Sequence, residues 1–221
     1  LRLYLSLSSC TISTPLPCAR CPHTTLLRCL LAGGQTLIPT LKQRLAMPAT
    51  LVDIGNIGDL NFIKAEGDAI TIGAATKHAD VAASADVAKH LPSLAHLAAH
   101  IGDPAVRNRG TIGGSLANND PAADYPAAAL GLDAKIHTNK RLIDADPFFK
   151  GMFETALEED EIITEVTFPH PEKAAYVKFP NPASRYAMVG VFVAKTAIDI
   201  RVAVTGAGAD GVFRVTEMEA A

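Results

Sequence analysis

The chain has 221 residues, of which 48% are hydrophobic and 19% are charged, and its formal net charge at pH 7 is -3. This length suffices for one large domain or two small ones with proper cores. The weak negative charge and the absence of Trp argue against a nucleic-acid-binding protein, because such proteins need basic surfaces or aromatic stacking platforms. No run of about 20 apolar residues occurs, so no transmembrane segment is predicted.

The first 29 residues differ in composition from the rest of the chain. They contain no Asp or Glu but hold all four cysteines, Cys10, Cys18, Cys21 and Cys29. Three interpretations stay open: an export or lipidation signal, a zinc or iron–sulfur site, and a non-native stretch foreign to the fold, which is favoured because no periodic scaffold surrounds the cysteines. A secreted, disulfide-linked fold would spread its cysteines along the chain, so the rest of the protein is predicted to be cytoplasmic.

Regular structure is predicted from Leu30 onward. Hydrophobic periodicity and glycine or proline breaks predict, in chain order, a strand at 30–32, a helix at 39–47, strands at 51–54 and 69–73, and helices at 76–89 and 92–101. The last helix carries Leu94, Leu97 and Ile101 at helical spacing, with Pro92 suited to its first turn.

A turn-rich stretch, residues 102–124, comes next. The elements predicted after it are a strand at 134–138, a short helix opened by Asp146 and Pro147, and strands at 162–168, 188–196 and 200–205. Residues 169–182 hold four prolines and predict a linker. The chain is therefore divided into an atypical segment at 1–29, a main domain at 30–170 and a partial C-terminal domain at 171–221.

Two glycine-centred loops are the main candidates for binding chemistry. The first is Ala32-Gly33-Gly34-Gln35-Thr36, and the second is centred on Thr111-Ile112-Gly113-Gly114-Ser115. Paired glycines let the backbone approach a ligand closely, and successive free N–H groups form anion-binding nests. Neither loop has the Walker A or the dinucleotide-binding glycine pattern. Two such loops facing each other can hold both phosphates of a dinucleotide.

Two aspartates follow the second loop. A carboxylate at Asp120 or Asp124 can accept hydrogen bonds from ribityl or ribose hydroxyls. Capping of a helix or a turn is an equally good explanation of both residues.

Two further clusters are interpreted as structural. His96 and His100 lie four residues apart on a predicted helix, a spacing that can chelate zinc, but Leu97 occupies the position where a metalloprotease would carry its base. An exposed helical pair is the preferred interpretation. The acidic run 158–161 is interpreted as a solvated turn.

The glycine-centred segments resemble the FAD-binding medium subunit of the molybdenum hydroxylases. The strongest match is Asp103–Asn118, with the sequence DPAVRNRGTIGGSLAN, and it continues through Asp120–Asp124. The resemblance covers about residues 31–205. Over this range the sequence is similar to the subunit found in aerobic carbon-monoxide dehydrogenase and to the flavin domain of xanthine dehydrogenase.

The resemblance implies an α+β fold, a two-subdomain FAD-binding fold of the vanillyl-alcohol-oxidase (PCMH) type with a truncated α+β C-terminal domain. It implies that the two loops hold the pyrophosphate, that Asp124 contacts the ribityl or nearby hydroxyls, and that Lys178 and Tyr186 lie near the isoalloxazine ring. The implied FAD-binding residues are Ala32, Gly33, Gly34, Gln35, Thr36, Thr111, Ile112, Gly113, Gly114, Ser115, Asp124, Lys178 and Tyr186. No catalytic or metal-ligating residue is expected on this chain.

The resemblance also implies partners. An iron–sulfur small subunit would carry 2Fe–2S clusters and a large subunit the molybdenum cofactor, in a dimer of heterotrimers, with electrons passing from iron–sulfur through FAD to an external acceptor. Two alternatives stay open: a flavin-free interaction module without catalytic function, and a stand-alone flavin reductase of the same fold.

Overall fold

A computed structural model of the protein describes residues 28–220. Cys10, Cys18 and Cys21, and with them the interpretations of the first segment, lie outside the described residues. The helices are α1 Leu37–Lys42, α2 His78–Ala83, α3 Ala85–His90, α4 Pro92–Ala99, α5 Pro104–Arg107, α6 Ile112–Asn118, α7 Tyr125–Gly131, α8 Ala145–Phe148 and α9 Thr216–Glu219. None of the helices in this part of the chain has the length and apolar character needed to cross a membrane.

The strands form two main antiparallel sheets and two small pairs. They are β1 Arg28–Leu31, β2 Thr50–Asp53, β3 Ile63–Glu66, β4 Ala69–Gly73, β5 Lys135–Thr138, β6 Leu142–Asp144, β7 Phe149–Gly151, β8 Glu154–Thr155, β9 Ile163–Pro169, β10 Lys173–Pro180, β11 Ala187–Lys195, β12 Ile200–Thr205 and β13 Phe213–Arg214. One sheet has the order β3-β4-β9-β5-β6 and the other β10-β11-β12-β13. β1 and β2 pair in parallel, and β7 and β8 form a hairpin. Mixed helices and antiparallel sheets confirm the predicted α+β class.

A shared core joins the two main sheets through α7. Every residue of this helix is buried, and it packs against β11 and β12 of the four-stranded sheet. Gly131 leaves the space that the Phe192 ring fills, because a Cβ at position 131 would lie 2.6 Å from Phe192 Cδ1. Tyr125, at the first turn of α7, is fully buried in the same core as Phe168 of the five-stranded sheet. The helix therefore packs on the four-stranded sheet and belongs to a core that also contains residues of the five-stranded sheet.

On the other side of the four-stranded sheet, the part formed by β10 and β11 is apolar and exposed, whereas α9 packs against β12. Val177 and Phe179 of β10 are 71% and 67% exposed, and their cross-strand neighbourhood on β11 includes the partly exposed Val189 and Val193. We call Val177, Phe179, Val189 and Val193 the outer face. An antiparallel sheet with one solvated side normally places polar residues there, so this face departs from the usual pattern.

Three sequence predictions are corrected here. The helix predicted at 76–89 is two helices, because Ser84 is extended and its hydroxyl caps α3 by accepting from Val87 N–H. The helix predicted at 39–47 is α1, which ends at Lys42 before Arg44 takes a left-handed conformation. The linker predicted at 169–182 contains the whole of β10, because its prolines lie at the strand ends.

The short helix predicted to open at Asp146 and Pro147 is α8, which begins at Ala145 and has Asp144 as its N-cap. Other predicted elements lie close to their observed positions. The strand predicted at 69–73 is β4, the strand at 200–205 is β12, and the helix at 92–101 is α4 with a shorter C-terminal end. The proposed boundary between residues 170 and 171 stays a prediction.

Candidate functional site

A cavity of about 340 Å³ lies between the first glycine loop, the start of α6, the start of α7 and the loop after β10. Eleven of the 13 residues predicted to bind the cofactor line it: Ala32, Gly33, Gly34, Gln35, Thr36, Thr111, Gly113, Gly114, Ser115, Asp124 and Tyr186. The two that do not are Ile112, which is buried in the core, and Lys178, whose ammonium pairs with the Asp124 carboxylate. Residues from distant parts of the sequence therefore meet at one cavity.

The first loop offers unused backbone donors to this cavity. Within residues 28–220, the N–H groups of Gly33, Gly34, Gln35 and Thr36 have no hydrogen-bond partner. The chain turns here because Gly34 adopts a left-handed φ of 71°, and α1 starts when Ile38 N–H donates to the Gly34 carbonyl oxygen at 3.0 Å. Four successive free N–H groups fit the description of an anion-binding nest.

The second glycine segment has a different structure from the predicted loop. Thr111 caps α6, so the segment 112–118 within the predicted turn-rich stretch is helical. The Ile112 and Gly113 N–H groups donate to the carbonyl oxygens of Thr76 and Ala74 at 3.1 and 2.9 Å, and Gly114 N–H donates to Thr111 Oγ1 at 3.2 Å. The N–H groups of Ile112, Gly113 and Gly114 are therefore not free, because they donate to the chain between β4 and α2 and to the Thr111 cap. The prediction that this segment helps to hold a pyrophosphate stays a prediction.

The glycines of the second segment instead allow backbones to touch. A Cβ at Gly113 would lie 2.5 Å from the Ala74 side chain. A Cβ at Gly33 would lie 2.3 Å from the Arg109 carbonyl oxygen and 2.7 Å from Gly110 Cα. Such distances are closer than real Cβ atoms approach. Glycine at position 113 therefore lets α6 pack on Ala74, and glycine at position 33 lets the first loop pack on the backbone of Arg109 and Gly110.

Asp124 contributes a buried carboxylate at the start of α7. Its residue is 4% exposed, and Lys178 Nζ lies 2.8 Å from Oδ1 and 3.0 Å from Oδ2. The Tyr176 hydroxyl donates to Oδ1 at 2.5 Å. Burial raises the pKa of the Asp124 carboxyl, whereas the Lys178 ammonium and the hydrogen bonds from Lys178 and Tyr176 act to lower it.

Both aspartates line the cavity, but their carboxylates have different partners. The Asp120 carboxylate accepts from Ala122 N–H at 2.9 Å and so stabilises a turn. Asp124 makes no side-chain capping bond to α7. Its carboxylate is therefore held by side chains and presented to the cavity.

Tyr186 lies on the loop that closes the cavity after β10. Its side chain is half exposed, and burial, followed by the nearby Asp120 and Asp124 carboxylates, raises its pKa. Arg185 precedes it in a left-handed conformation that turns the loop toward the cavity residues. The predicted position of Tyr186 beside a flavin ring stays a prediction.

His78 lines the cavity and was missed by the sequence analysis. The residue is 5% exposed, and burial, with a smaller contribution from Arg107, lowers its pKa to about 4. Its ring lies 5.3 Å from the Tyr125 ring, and neither His78 Nδ1 nor the Tyr125 hydroxyl has a hydrogen-bond partner among the described residues. A single histidine in a short helix gives no periodic signal, so no sequence pattern marks it.

Glu161 is a second cavity residue with an unexpected environment. It belongs to the acidic run predicted to be a solvated turn, yet it is buried and accepts hydrogen bonds from Arg141, Thr138 and the Glu158 N–H. These partners, led by Arg141, lower the pKa of Glu161 to about 2. The solvated-turn interpretation is wrong for this residue, because its ion pair and hydrogen bonds compensate the burial of its charge.

The described residues form no cluster of three or more potential metal-ligating side chains. His96 on α4 and His100 just after its end are both exposed, and their ring centroids lie 4.1 Å apart. The His100 Nδ1 is already 2.7 Å from the His96 carbonyl oxygen.

Comparisons with known proteins place these residues in a recognised family. A family model described as "FAD binding domain in molybdopterin dehydrogenase" matches residues 25–171. The nicotine 6-hydroxylase medium subunit of Paenarthrobacter nicotinovorans is 38% identical over 188 residues, which are 80% of this chain and 66% of the relative. The carbon monoxide dehydrogenase medium chain of Hydrogenophaga pseudoflava is 39% identical over 188 residues, with the same two shares.

Solved structures share the fold. Carbon monoxide dehydrogenase from Hydrogenophaga pseudoflava, in a form that lacks the Mo-pyranopterin moiety, has a TM-score of 0.77 at 38% identity and covers 85% of this chain and 69% of that chain. Quinoline 2-oxidoreductase from Pseudomonas putida 86 has a TM-score of 0.78 at 31% identity, with shares of 85% and 68%. The chain thus spans about two thirds of the length of the relatives that it matches.

Proposed function

Because the chain belongs to the family of FAD-binding domains found in molybdopterin dehydrogenases, we propose that it binds FAD and acts as the electron-relay component of a molybdenum hydroxylase. The family resemblance predicted from the glycine-rich segments is confirmed by the family model and the relatives. The observation that carries the proposal is the single cavity on which the free N–H groups of the first glycine loop and the Asp124 carboxylate converge.

The residues of the cavity suit the parts of FAD. The free N–H groups of Gly33 to Thr36 would hold the pyrophosphate, because they offer several donors to an anion without any competing partner. The second glycine segment would exclude water and shape the wall rather than donate from its backbone. Asp124 would accept a hydrogen bond from a ribityl or ribose hydroxyl.

FAD, when bound, supplies one- and two-electron redox chemistry that no amino-acid side chain provides. The role of this chain is to bind and orient it. Leu157, Ile162 and Ile163 add apolar surface to the cavity, and Tyr186 and Arg185 also line it. Neutral His78 adds a polar group without adding positive charge near pH 7.

The larger assembly is part of the same proposal. Several relatives are named as medium subunits or medium chains, which supports a complex with an iron–sulfur small subunit and a molybdenum-containing large subunit. We propose a dimer of heterotrimers in the cytoplasm, similar to carbon monoxide dehydrogenase, in which electrons pass from 2Fe–2S clusters through FAD to an external acceptor. The FAD-binding fold is proposed to be of the vanillyl-alcohol-oxidase (PCMH) type.

The first experiment is to purify the 221-residue chain, record its visible absorption spectrum and identify any flavin released on denaturation. The expected result is a flavin spectrum with FAD released in an equimolar amount. A folded but colourless protein that takes up no added FAD would contradict the proposal and favour the flavin-free interaction module. Rapid flavin reduction by a nicotinamide cofactor, without any partner subunit, would favour the stand-alone reductase.

A further inference from the structure

We propose that Tyr176 is a positioning residue for the cofactor, which acts by fixing the Asp124 carboxylate at the wall of the cavity. This inference rests on the proposed function, because it concerns the affinity for FAD. Tyr176 itself does not line the cavity, whereas Asp124 does. Tyr176 therefore acts through its hydrogen bond to Asp124.

The hydrogen bonds to Asp124 occupy one acceptor site on each of its two oxygens. Oδ1 accepts from the Tyr176 hydroxyl at 2.5 Å, and Oδ2 accepts from Lys178 Nζ at 3.0 Å. Lys178 Nζ also lies 2.8 Å from Oδ1, as an ion pair. Each carboxylate oxygen has two acceptor sites, so the carboxylate keeps the capacity to accept from a ligand hydroxyl.

The four-stranded sheet is built to supply these donors. Tyr176 and Lys178 are two residues apart on β10, which places both side chains on the sheet side that faces α7. Gly190, opposite Lys178 on β11, makes room for the tyrosine, because a Cβ there would lie 2.4 Å from the Tyr176 hydroxyl oxygen. The hydroxyl thus occupies a space that only glycine leaves open.

Lys178 alone cannot fix the carboxylate. Its ammonium also donates to the His100 carbonyl oxygen at 3.0 Å, so it is shared between two acceptors on different elements. The Tyr176 hydroxyl is a directional donor on a rigid, buried ring. The pair of donors therefore orients Asp124, with Lys178 supplying charge and Tyr176 supplying direction.

The network also affects the ionisation of Asp124. The titratable groups that face it are Lys178 and Tyr176 on β10, Tyr125 beside it on α7, and Tyr186 on the closing loop. Burial raises the Asp124 pKa, and the Tyr176 hydrogen bond opposes that rise. Loss of the hydroxyl would therefore protonate Asp124 at a higher pH, and a protonated carboxyl is a poorer acceptor for a cofactor hydroxyl.

The test is a fluorescence titration of flavin-stripped protein with FAD between pH 5 and 8, in which Tyr176→Phe is compared with the wild type. The expected result is roughly tenfold weaker binding near neutral pH, as for the loss of a hydrogen bond to a charged group, with the acidic loss of affinity moved to higher pH. Tyr125→Phe is the matched control, because the hydroxyl of this equally buried neighbour has no partner among the described residues. Its FAD affinity is expected to stay unchanged.

A second variant, Gly190→Ala, displaces the Tyr176 hydroxyl without removing it. It is expected to weaken FAD binding in the wild type and to add little in the Tyr176→Phe background, because both changes break the same bond. If Tyr176→Phe had the same FAD affinity and pH profile as the wild type, the inference would be overturned. A loss of FAD affinity that is the same at every pH would also overturn it, because such a loss indicates a purely structural role. Failure of the wild-type protein to bind FAD would overturn the proposed function itself.

Discussion

Gly33 is the residue at which the first glycine loop packs directly on the backbone of Arg109 and Gly110, so a single substitution there tests this contact. Gly33→Ala would place a methyl group 2.3 Å from the Arg109 carbonyl oxygen, and the backbones must move apart. We expect a loss of about 1–3 kcal/mol in the free energy of unfolding, as for overpacking, together with weaker FAD binding. Urea denaturation and FAD titration measure the two effects.

The matched control for this prediction is Gly58→Ala. Gly58 has no atom within 4 Å of an added Cβ and no left-handed φ, so the same change should be nearly neutral there. Equal effects of the two variants would show that the crossing at Gly33 carries no special constraint.

His78 predicts a pH dependence of stability. The unfolded chain binds a proton at this residue near pH 6.5, whereas the folded chain resists protonation down to about pH 4. His78 therefore leaves the free energy of unfolding at its full value above pH 6.5. As the pH falls toward 4, protonation of the unfolded chain lowers this free energy by up to about 3 kcal/mol. His78→Gln should flatten this decline in urea denaturation curves measured at pH 4 to 7. His96→Gln, on the exposed face of α4, should leave most of the decline in place.

At this scale the sequence identifies backbone features better than buried polar groups. Gly33 and Gly113 are visible as glycine pairs because close backbone approach demands glycine at a fixed chain position. His78, Glu161 and Tyr176 become important only through contacts with residues distant in sequence, such as Arg107, Arg141 and Asp124. No local pattern encodes those contacts.

Among the secondary-structure elements, α6 depends on Thr111 as its N-cap. Its hydroxyl accepts from Gly114 N–H and caps the helix. Thr111→Val, which keeps the shape but removes the acceptor, should lower the free energy of unfolding by about 1 kcal/mol. Thermal unfolding would measure this, and Thr111→Ser should restore most of the loss. If Thr111→Val were as stable as the wild type, the cap would not contribute to the free energy of unfolding and the prediction would be wrong.

The elements that were wrongly predicted share a physical cause. Residues 112–118 contain a glycine pair, which favours a turn in isolation, but the Thr111 cap and the hydrogen bonds to the chain after β4 stabilise a helix. The four prolines of 169–182 suggested a linker, yet the proline-free stretch between Pro171 and Pro180 pairs with β11 over its length. In both places tertiary pairing overrides local propensity.

For the whole molecule, the outer face of the four-stranded sheet is the most unusual surface. Exposed apolar patches promote self-association. The double variant Val177→Thr with Phe179→Thr should roughly halve the fluorescence of a bound hydrophobic dye and reduce concentration-dependent association, measured by light scattering. FAD affinity should not change, because Tyr176 and Lys178 face the opposite side of the strand.

A control for the outer face is Ile198→Thr. Ile198 is 94% exposed but lies alone in the turn between β11 and β12. A single exposed apolar residue is ordinary in soluble proteins, so this variant should change neither dye binding nor association. Equal effects of both variants would show that exposure alone, rather than the contiguous face, drives the association.

The contact between β10 and Asp124 has a thermodynamic consequence for the protein as a whole. Of the described residues, none from β10 lines the cavity, yet this strand holds the cavity's carboxylate. Linkage is reciprocal, so if docking of the sheet strengthens cofactor affinity by some factor, the cofactor strengthens docking of the sheet by the same factor. FAD should then slow amide hydrogen exchange along β10, and the flavin-free chain should lose protection first where this strand contacts Asp124.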